Sequence, residues 1–410
     1  MHRPAGLMPP SEPESPPGLD LPARPEPRVA PVTGASKAHP SLRDRVALVA
    51  KPSLRPAGIA VASRIGVLLV AGALSMVTKQ SLGNEITSWD SQWYLAAAKG
   101  YPHYLLPGHG NAAQSALGFF PALPLLIRFT HFILTIDYTR SGLLATFATS
   151  ITAAIAVWWL LRETEDAEAA DRGTALVLFS PASFVLSMIY GEGLLITTCA
   201  LAFLALKRRR WALAGLFAAL AGATDPLGVL MIVPCAVAAW TAIRDHRDRT
   251  SWAAVALAPL GVLAFFAYLW VEVGTPLAWI ITQRRGWQGG VPAASIPGVF
   301  SWLFLHGFNN INGTVKASSA IVVLLLFFLF IRVRPGAVMT SFVLAILAVG
   351  AASPVIGWTP RVALRAFPLL ALLGARMPRR WFGPAVAVSA ILMAVLAIVT
   401  WGPASPPFTP

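Results

Sequence analysis

A chain of 410 residues that is 56% hydrophobic and 12% charged, with a mean hydropathy of +0.64, holds more apolar surface than one water-soluble core can bury; it reads as a polytopic membrane protein. The formal charge of +14 does not mark a nucleic-acid binder, because Arg and Lys sit in small clusters between apolar runs, the pattern that orients membrane helices. The runs are about 17–25 residues long and lack strand-like alternation, so the expected fold is all-α.

Residues 1–55 are dense in Pro, Arg, Ser and Glu, and are expected to form a disordered cytoplasmic tail. The transmembrane domain is expected over 56–402, and a short tail over 403–410. No signal-peptide pattern precedes the first span, so that span would serve as an uncleaved insertion signal. It covers about Ala57–Thr78, after Arg43, Arg45, Lys51 and Arg55, which places the N-terminus in the cytoplasm. Further spans are expected at about Ser141–Leu161, Gly173–Ile189, Gly193–Leu206, Trp211–Ala223, Pro226–Ile243, Trp252–Glu272, Lys316–Ile331, Ala337–Ala352, Val362–Ala375 and Trp381–Trp401. The total is about 10–12 transmembrane helices. The basic clusters at Lys207, Arg244, Arg332 and Arg376 then all fall inside, whereas "RETEDAEAADR" falls inside with a net negative charge, against the trend. "ALGFFPALPLLIRFTHFILTI" contains Pro121, Pro124, Arg128 and His131 and is read as a juxtamembrane helix in the first outer loop, since crossing would invert the parity of every later cluster.

With this threading Asp90, Glu192, Asp225, Arg361 and Arg365 lie at the outer ends of spans, and so does the loop carrying Arg284 and Arg285. Ionisable groups near a membrane are costly and are commonly functional or paired. Asp90 lies in "SWDSQWYLAAAKGYP" among Trp89, Trp93 and Tyr94. It reads either as an incidental acid in an interfacial aromatic belt, or as a general base whose flanking rings offer flat faces to a sugar or lipid. Glu192 follows Tyr190 in the helix break "YGEG", either as a turn acid or as a second polar contact to substrate. Asp225 precedes Pro226 and reads as the N-cap of the following helix. The four outer arginines fit lipid headgroups or a phosphate or pyrophosphate. His103, His109 and His131 lack zinc-site spacing, and Cys199 and Cys235 read as small hydrophobes, so no metal ligand is assigned. No phosphate-cradling Gly-rich loop or dinucleotide fingerprint stands in a strand-to-helix context.

The ordered series "WDSQWYLAAAKGYP", "FFPALPLL", "SPASFVLSMIYGEG", "GLFAALAGATDPLG", "GTPLAWIITQRRGW" and "TPRVALRAFPLL" resembles the PIG-V-like mannosyltransferases of the GT-C membrane glycosyltransferase superfamily, over about Ser88 to Leu370. The resemblance implies a GT-C-like fold and transfer of mannose from a polyprenyl-phosphate donor on the non-cytoplasmic face. Asp90 would be the catalytic or acceptor-orienting acid, with Arg361 and Arg365 on the donor phosphate. Two positions depart from the family. Gly191-Glu192-Gly193 replaces Ser-Glu-Ser, and Thr224-Asp225-Pro226 replaces Thr-Arg-Pro, which puts an anion where the family has a cation.

The leading expectation is an integral-membrane glycosyltransferase passing a hexose from polyprenyl phosphate to a lipid or protein acceptor. Its partners would be the lipid-linked sugar, the acceptor and membrane lipids, without nucleic acid. No cofactor is required by this chemistry, although two acids and a phosphate could hold a divalent cation. The competing readings are a degenerate, non-catalytic family member and a lipid-linked sugar flippase or transporter, whose broken helices would also suit transport. An Ala-, Arg-, Pro- and Trp-rich composition suggests a high-GC bacterial genome, hence a multi-pass plasma-membrane protein with an extracytoplasmic site.

Overall fold

In lipid a backbone must bond to itself, and the apolar runs accordingly fold as helices. The computed structural model describes residues 42–287, 307–309, 311–352 and 359–402, with no strand among them. The helices are α1 (Leu42–Thr78), α2 (Leu82–Ile86), α3 (Ser91–Lys99), α4 (Ala122–Leu134), α5 (Tyr138–Arg162), α6 (Ala167–Leu178), α7 (Glu192–Lys207), α8 (Trp211–Thr224), α9 (Ile232–His246), α10 (Trp252–Leu257), α11 (Leu260–Val273) and α12 (Ala278–Gly286). They continue with α13 (Ile311–Arg332), α14 (Ala337–Ala352), α15 (Pro360–Arg365), α16 (Phe367–Arg376) and α17 (Arg379–Trp401). Residues before Val49 form a separate unit, so the packing below concerns Val49 onward. The tail expected over 1–55 overlaps α1 from Leu42; residues 1–41 and 403–410 lie outside the described residues.

Among the described residues, six helical segments are long and apolar enough to cross a membrane: Ala50–Thr78, Tyr138–Arg162, Pro226–His246, Arg249–Val273, Ile311–Arg332 and Arg379–Trp401. A seventh would be the pair Pro181–Ser187 and Glu192–Lys207, bent by 106° at its break. Shorter apolar helices α4, α8, α14 and α16 complete the set. The protein is therefore an all-α, multi-pass membrane protein.

Three expected spans are interrupted, each at a proline; Trp252–Glu272 divides at Pro259 into α10 and α11. The run Gly173–Ile189 ends as α6 and resumes as the 3-10 turn Pro181–Ser187, with Ser180 extended at ψ 154°. Pro181 offers no N–H, and its ring disfavours helical backbone at Ser180. The run Val362–Ala375 breaks at Ala366, two residues before Pro368, into α15 and α16. Between α1 and α5 the chain forms α3 and α4 and no long span. On α4, Leu125, Phe129, Phe132 and Ile133 are exposed, and the likewise exposed Arg128 donates to Ala98 O at 2.9 Å, tying α4 to α3.

The helices pack through small residues, as close-packed membrane helices do. α5 and α7 meet along Thr149, Gly193 and Thr197: Thr197 Oγ1 donates to Gly193 O at 2.7 Å and lies 3.1 Å from Thr152 Oγ1. A Cβ at Gly193 would sit 2.9 Å from Thr149 Oγ1 and 3.1 Å from the Thr149 carbonyl carbon. Only glycine permits this approach, which sets the position of neighbouring Glu192. At one end of the bundle, exposed ion pairs tie the helix ends: Arg208 to Glu163 at 2.7 Å, Arg376 to Glu165 at 2.7 Å, and Arg379 to Glu168. These pairs account for three of the five acids in "RETEDAEAADR"; Asp166 caps α6 and Asp171 accepts from the Trp158 indole.

Replacing Gly193 by Val is expected to lower stability by about 1–3 kcal/mol through overpacking. Gly72→Ala, at a glycine with open space around it, is expected to be neutral or slightly stabilising. Thermal unfolding in detergent compares the two, and equal melting temperatures would contradict the close α5–α7 contact.

Candidate functional site

Asp90 opens α3, and its side chain makes no cap hydrogen bond with that helix. The preceding Trp89 has φ +56°, a left-handed backbone that a bulky residue adopts at a cost of about 1–3 kcal/mol. The indole nitrogen of Trp89 reaches Thr400 O at 3.4 Å, in α17, which fixes this turn against the last helix. The Asp90 amide donates to the Tyr190 hydroxyl at 3.2 Å. The carboxylate is thus left to face the interior of the bundle.

There it meets four other charged groups. Arg361 Nη1 lies 3.5 Å from Asp90 Oδ2, and Arg361 Nε donates to Glu192 Oε1 at 2.7 Å. Arg365 Nη2 bridges two acids, at 3.1 Å from Glu192 Oε1 and 2.9 Å from Asp225 Oδ2. The Arg361 guanidinium also stacks over the Tyr190 ring at 4.9 Å. Each side chain arrives on a helix end set by a break: Glu192 begins α7 after the Pro181 turn, Asp225 ends α8, and both arginines sit on α15 just before the Pro368 break. Asp225 keeps its expected capping role, accepting from Leu227 N at 2.8 Å through Oδ1 while Oδ2 takes Arg365.

Three carboxylates against two guanidiniums leave one net negative charge. Exposure divides the acids. The side chains of Glu192 and Asp225 are 1% and 4% exposed, and that of Asp90 is 30% exposed. Burial pushes the Asp90 carboxyl above the ordinary aspartate range, and the Arg361 charge partly opposes the shift. Glu192 Oε2 and Arg365 Nε are buried without a hydrogen-bond partner among the described residues. Arginines stand between the acids, and no three His, Cys, Asp or Glu side chains among the described residues come together in a metal-binding arrangement.

Beside Asp90, α3 carries an aromatic wall. Tyr94 lies 6.3 Å from Tyr190 and edge-on to Phe119 at 5.0 Å, and Trp93 meets Trp287 at 5.9 Å. The structure thus unites Asp90, Glu192, Asp225, Arg361, Arg365, Tyr94 and Tyr190, with Trp89 and Trp93 on its flank. Arg284 and Arg285 lie in the last turn of α12 and make no hydrogen bond or ion pair with this cluster among the described residues; their helix contributes the neighbouring Trp287.

Sequence reasoning missed Arg64, in the middle of the first span and 1% exposed. It faces no acid; it donates to Ser183 O at 2.6 Å, Ser187 Oγ at 3.0 Å and Leu178 O at 3.2 Å. Arg64 therefore satisfies the carbonyls freed where α6 breaks, bracing the turn that delivers Tyr190 and Glu192. An arginine inside an apolar run was the available signal, since such a group is costly unless it has partners.

No protein-family model matches the chain, and no curated protein does. Among solved structures, the chain is similar to the oligosaccharyltransferase of Archaeoglobus fulgidus in its apo form, with 13% identity and a TM-score of 0.47, over 82% of this chain and 56% of that one. The same archaeal enzyme tethered to an acceptor peptide with the NVT sequon gives 14% identity and a TM-score of 0.41, over 82% and 55%. The chain spans about half the length of these structures.

Removing one partner of a buried ion pair strands the other charge, at about 3–5 kcal/mol. Arg365→Met is expected to destabilise by that amount, and adding Asp225→Asn to recover about 1–3 kcal/mol of it. A double-mutant cycle by chemical unfolding measures the coupling; strictly additive effects would show that the two side chains do not act as a pair.

Proposed function

We propose that this protein is an integral-membrane glycosyltransferase of the GT-C type, which transfers a hexose, mannose by the sequence resemblance, from a polyprenyl phosphate to a lipid or protein acceptor on the extracytoplasmic face. The observation that carries this reading is the exposure gradient in the cluster. Glu192 and Asp225 are sealed against arginines, and Asp90 alone of the three acids retains surface for a ligand.

In this reading Asp90 takes the acceptor hydroxyl proton as that oxygen attacks the sugar carbon and the bond to the donor phosphate breaks, with inversion. A carboxylate with a raised pKa is a stronger base, and the Arg361 charge beside it partly opposes the rise. Arg361 and Arg365 lend positive potential as charge builds on the leaving phosphate, although both guanidiniums also serve internal acids. Tyr94, Trp93 and Trp89 supply flat faces for the sugar or the first isoprene unit. Arg284 and Arg285, on the helix that bears Trp287, are suited to the donor phosphate or to lipid headgroups. A bound divalent cation would add Lewis-acid stabilisation of the phosphate; the acids present would have to release their arginines to hold one.

The charge inversion at Asp225 fits an active protein. Where the resembled family has arginine, this chain has an acid already matched by Arg365, so the exchange is internally compensated and does not leave a buried charge alone.

Asp90→Asn keeps the shape and removes the base, and is expected to reduce transfer from polyprenyl-phosphate-mannose by at least about 10²-fold with unchanged melting temperature. Retained turnover would remove Asp90 from the chemistry, and transbilayer movement of the lipid without covalent product would favour a flippase. The pH profile is an independent check. The base must be ionised and its pKa is raised, so activity is expected to fall on acidification at a pH above the roughly 3.9 of an ordinary aspartate; an acid limb at or below that value would contradict the assignment.

A further inference from the structure

A cavity lies at the opposite end of the helices that build the site. α7 starts at Glu192 and ends at Lys207, 16 residues or about 24 Å away at 1.5 Å per residue. α8 runs back from Trp211 to the site, and α16 runs from the arginine-bearing turn to Arg376. Between the far ends of α7, α9, α14 and α16 is a cavity of about 350 Å³, within the range of small-ligand pockets.

Its floor is apolar, formed by Phe203, Leu206, Met339 and Leu372. Its rim carries the cations Lys207, Arg209 and Arg376, with the His246 ring beside them. The rim charges are not equally available. Arg376 is held by Glu165 at 2.7 Å and Arg209 lies 3.8 Å from Asp248. The rim acid Asp245 is taken by Arg244 at 2.8 Å. The Lys207 side chain makes no hydrogen bond or ion pair among the described residues; the acids whose charge reaches it, Glu163 and Glu165, are already paired with Arg208 and Arg376. The first turn of α14, Ala337 to Met339, also lines the cavity and adds N–H groups that no helix can satisfy internally.

We infer that this cavity binds a phosphate ester with an apolar attachment, most simply the headgroup of an anionic phospholipid, with Lys207 as its principal cation. The level of the cavity favours lipid. Trp240, Trp252 and Trp381 are exposed on α9, α10 and α17, and Trp252 and Trp381 stand at the starts of their helices, at the same end of the bundle as His246 and Arg376. Exposed tryptophans of this kind mark the boundary between hydrocarbon and headgroups. The inference is independent of the proposed transferase activity.

The test is native mass spectrometry of the full chain in detergent, titrated with phosphatidylglycerol, phosphatidylcholine or glycerol 3-phosphate. Phosphatidylglycerol is expected to bind the wild type more tightly than phosphatidylcholine, and Lys207→Glu to weaken it roughly five- to tenfold, from about 1 kcal/mol per basic residue near a membrane surface. Lys207→Arg is expected to retain binding. Should Lys207→Glu fail to fold, the Lys207→Gln and Arg209→Gln double variant serves in its place. Lysine-dependent binding of glycerol 3-phosphate without lipid binding would assign the same chemistry to a soluble phosphate ester. Equal binding of the two lipids, or binding indifferent to Lys207 substitution, would overturn the inference.

Discussion

The Glu192 carboxylate, 1% exposed and shared between Arg361 and Arg365, is the interaction on which the rest of this structure depends. An ion so buried is stable only when matched, because desolvation of an isolated carboxylate exceeds what packing returns. Meeting that requirement draws α15 against the start of α7, and Arg365 then extends the network to Asp225 at the end of α8. Arg361 extends it in the other direction to Asp90, on a segment that lies between the first two long spans. Five charged groups from four parts of the chain are thereby held at one end of the bundle.

The surrounding architecture serves this placement. Proline breaks before 3-10 turns and short helices bring charged side chains to helix ends, where the backbone has unsatisfied groups to offer. Arg64 joins the Ser63 and Ser183 hydroxyls on the Leu178 carbonyl at the break and adds a bond to Ser183 O. Gly193 lets α7 approach α5 closely enough for Thr149 and Thr197 to interlock. Trp89 is held in a left-handed backbone, and that turn leaves Asp90 aimed inward instead of capping its own helix. A strained residue next to the most accessible acid of the cluster is the kind of local cost that persists where geometry matters.

Much of this was legible in the sequence. The long apolar runs gave the helices because hydrocarbon leaves no other solution for a backbone, and the placing of Asp90, Glu192, Asp225, Arg361 and Arg365 at one end followed from span parity. Asp225 was readable as a cap from Pro226 alone. What could not be read was pairing across the chain. Asp225 looked like the loss of a needed cation, and its partner Arg365, 140 positions away, becomes visible only when α8 and α15 meet. Arg361 and Arg365 read as open phosphate ligands for the same reason. The continuous spans expected at Gly173–Ile189 and Val362–Ala375 failed because hydropathy averages over prolines whose effect is local. Arg64 was visible as an arginine inside an apolar run, but its partners, backbone carbonyls and serine hydroxyls, could not be paired with it from the sequence.

The most direct measurement is an experimental structure of the protein with a non-transferable polyprenyl-phosphate sugar bound. The expected result places the sugar against the aromatic wall of α3, with its anomeric carbon facing the Asp90 carboxylate and Glu192 still joined to both arginines. A ligand seated elsewhere in the bundle, or Asp90 turned away from a bound sugar, would contradict the assignment.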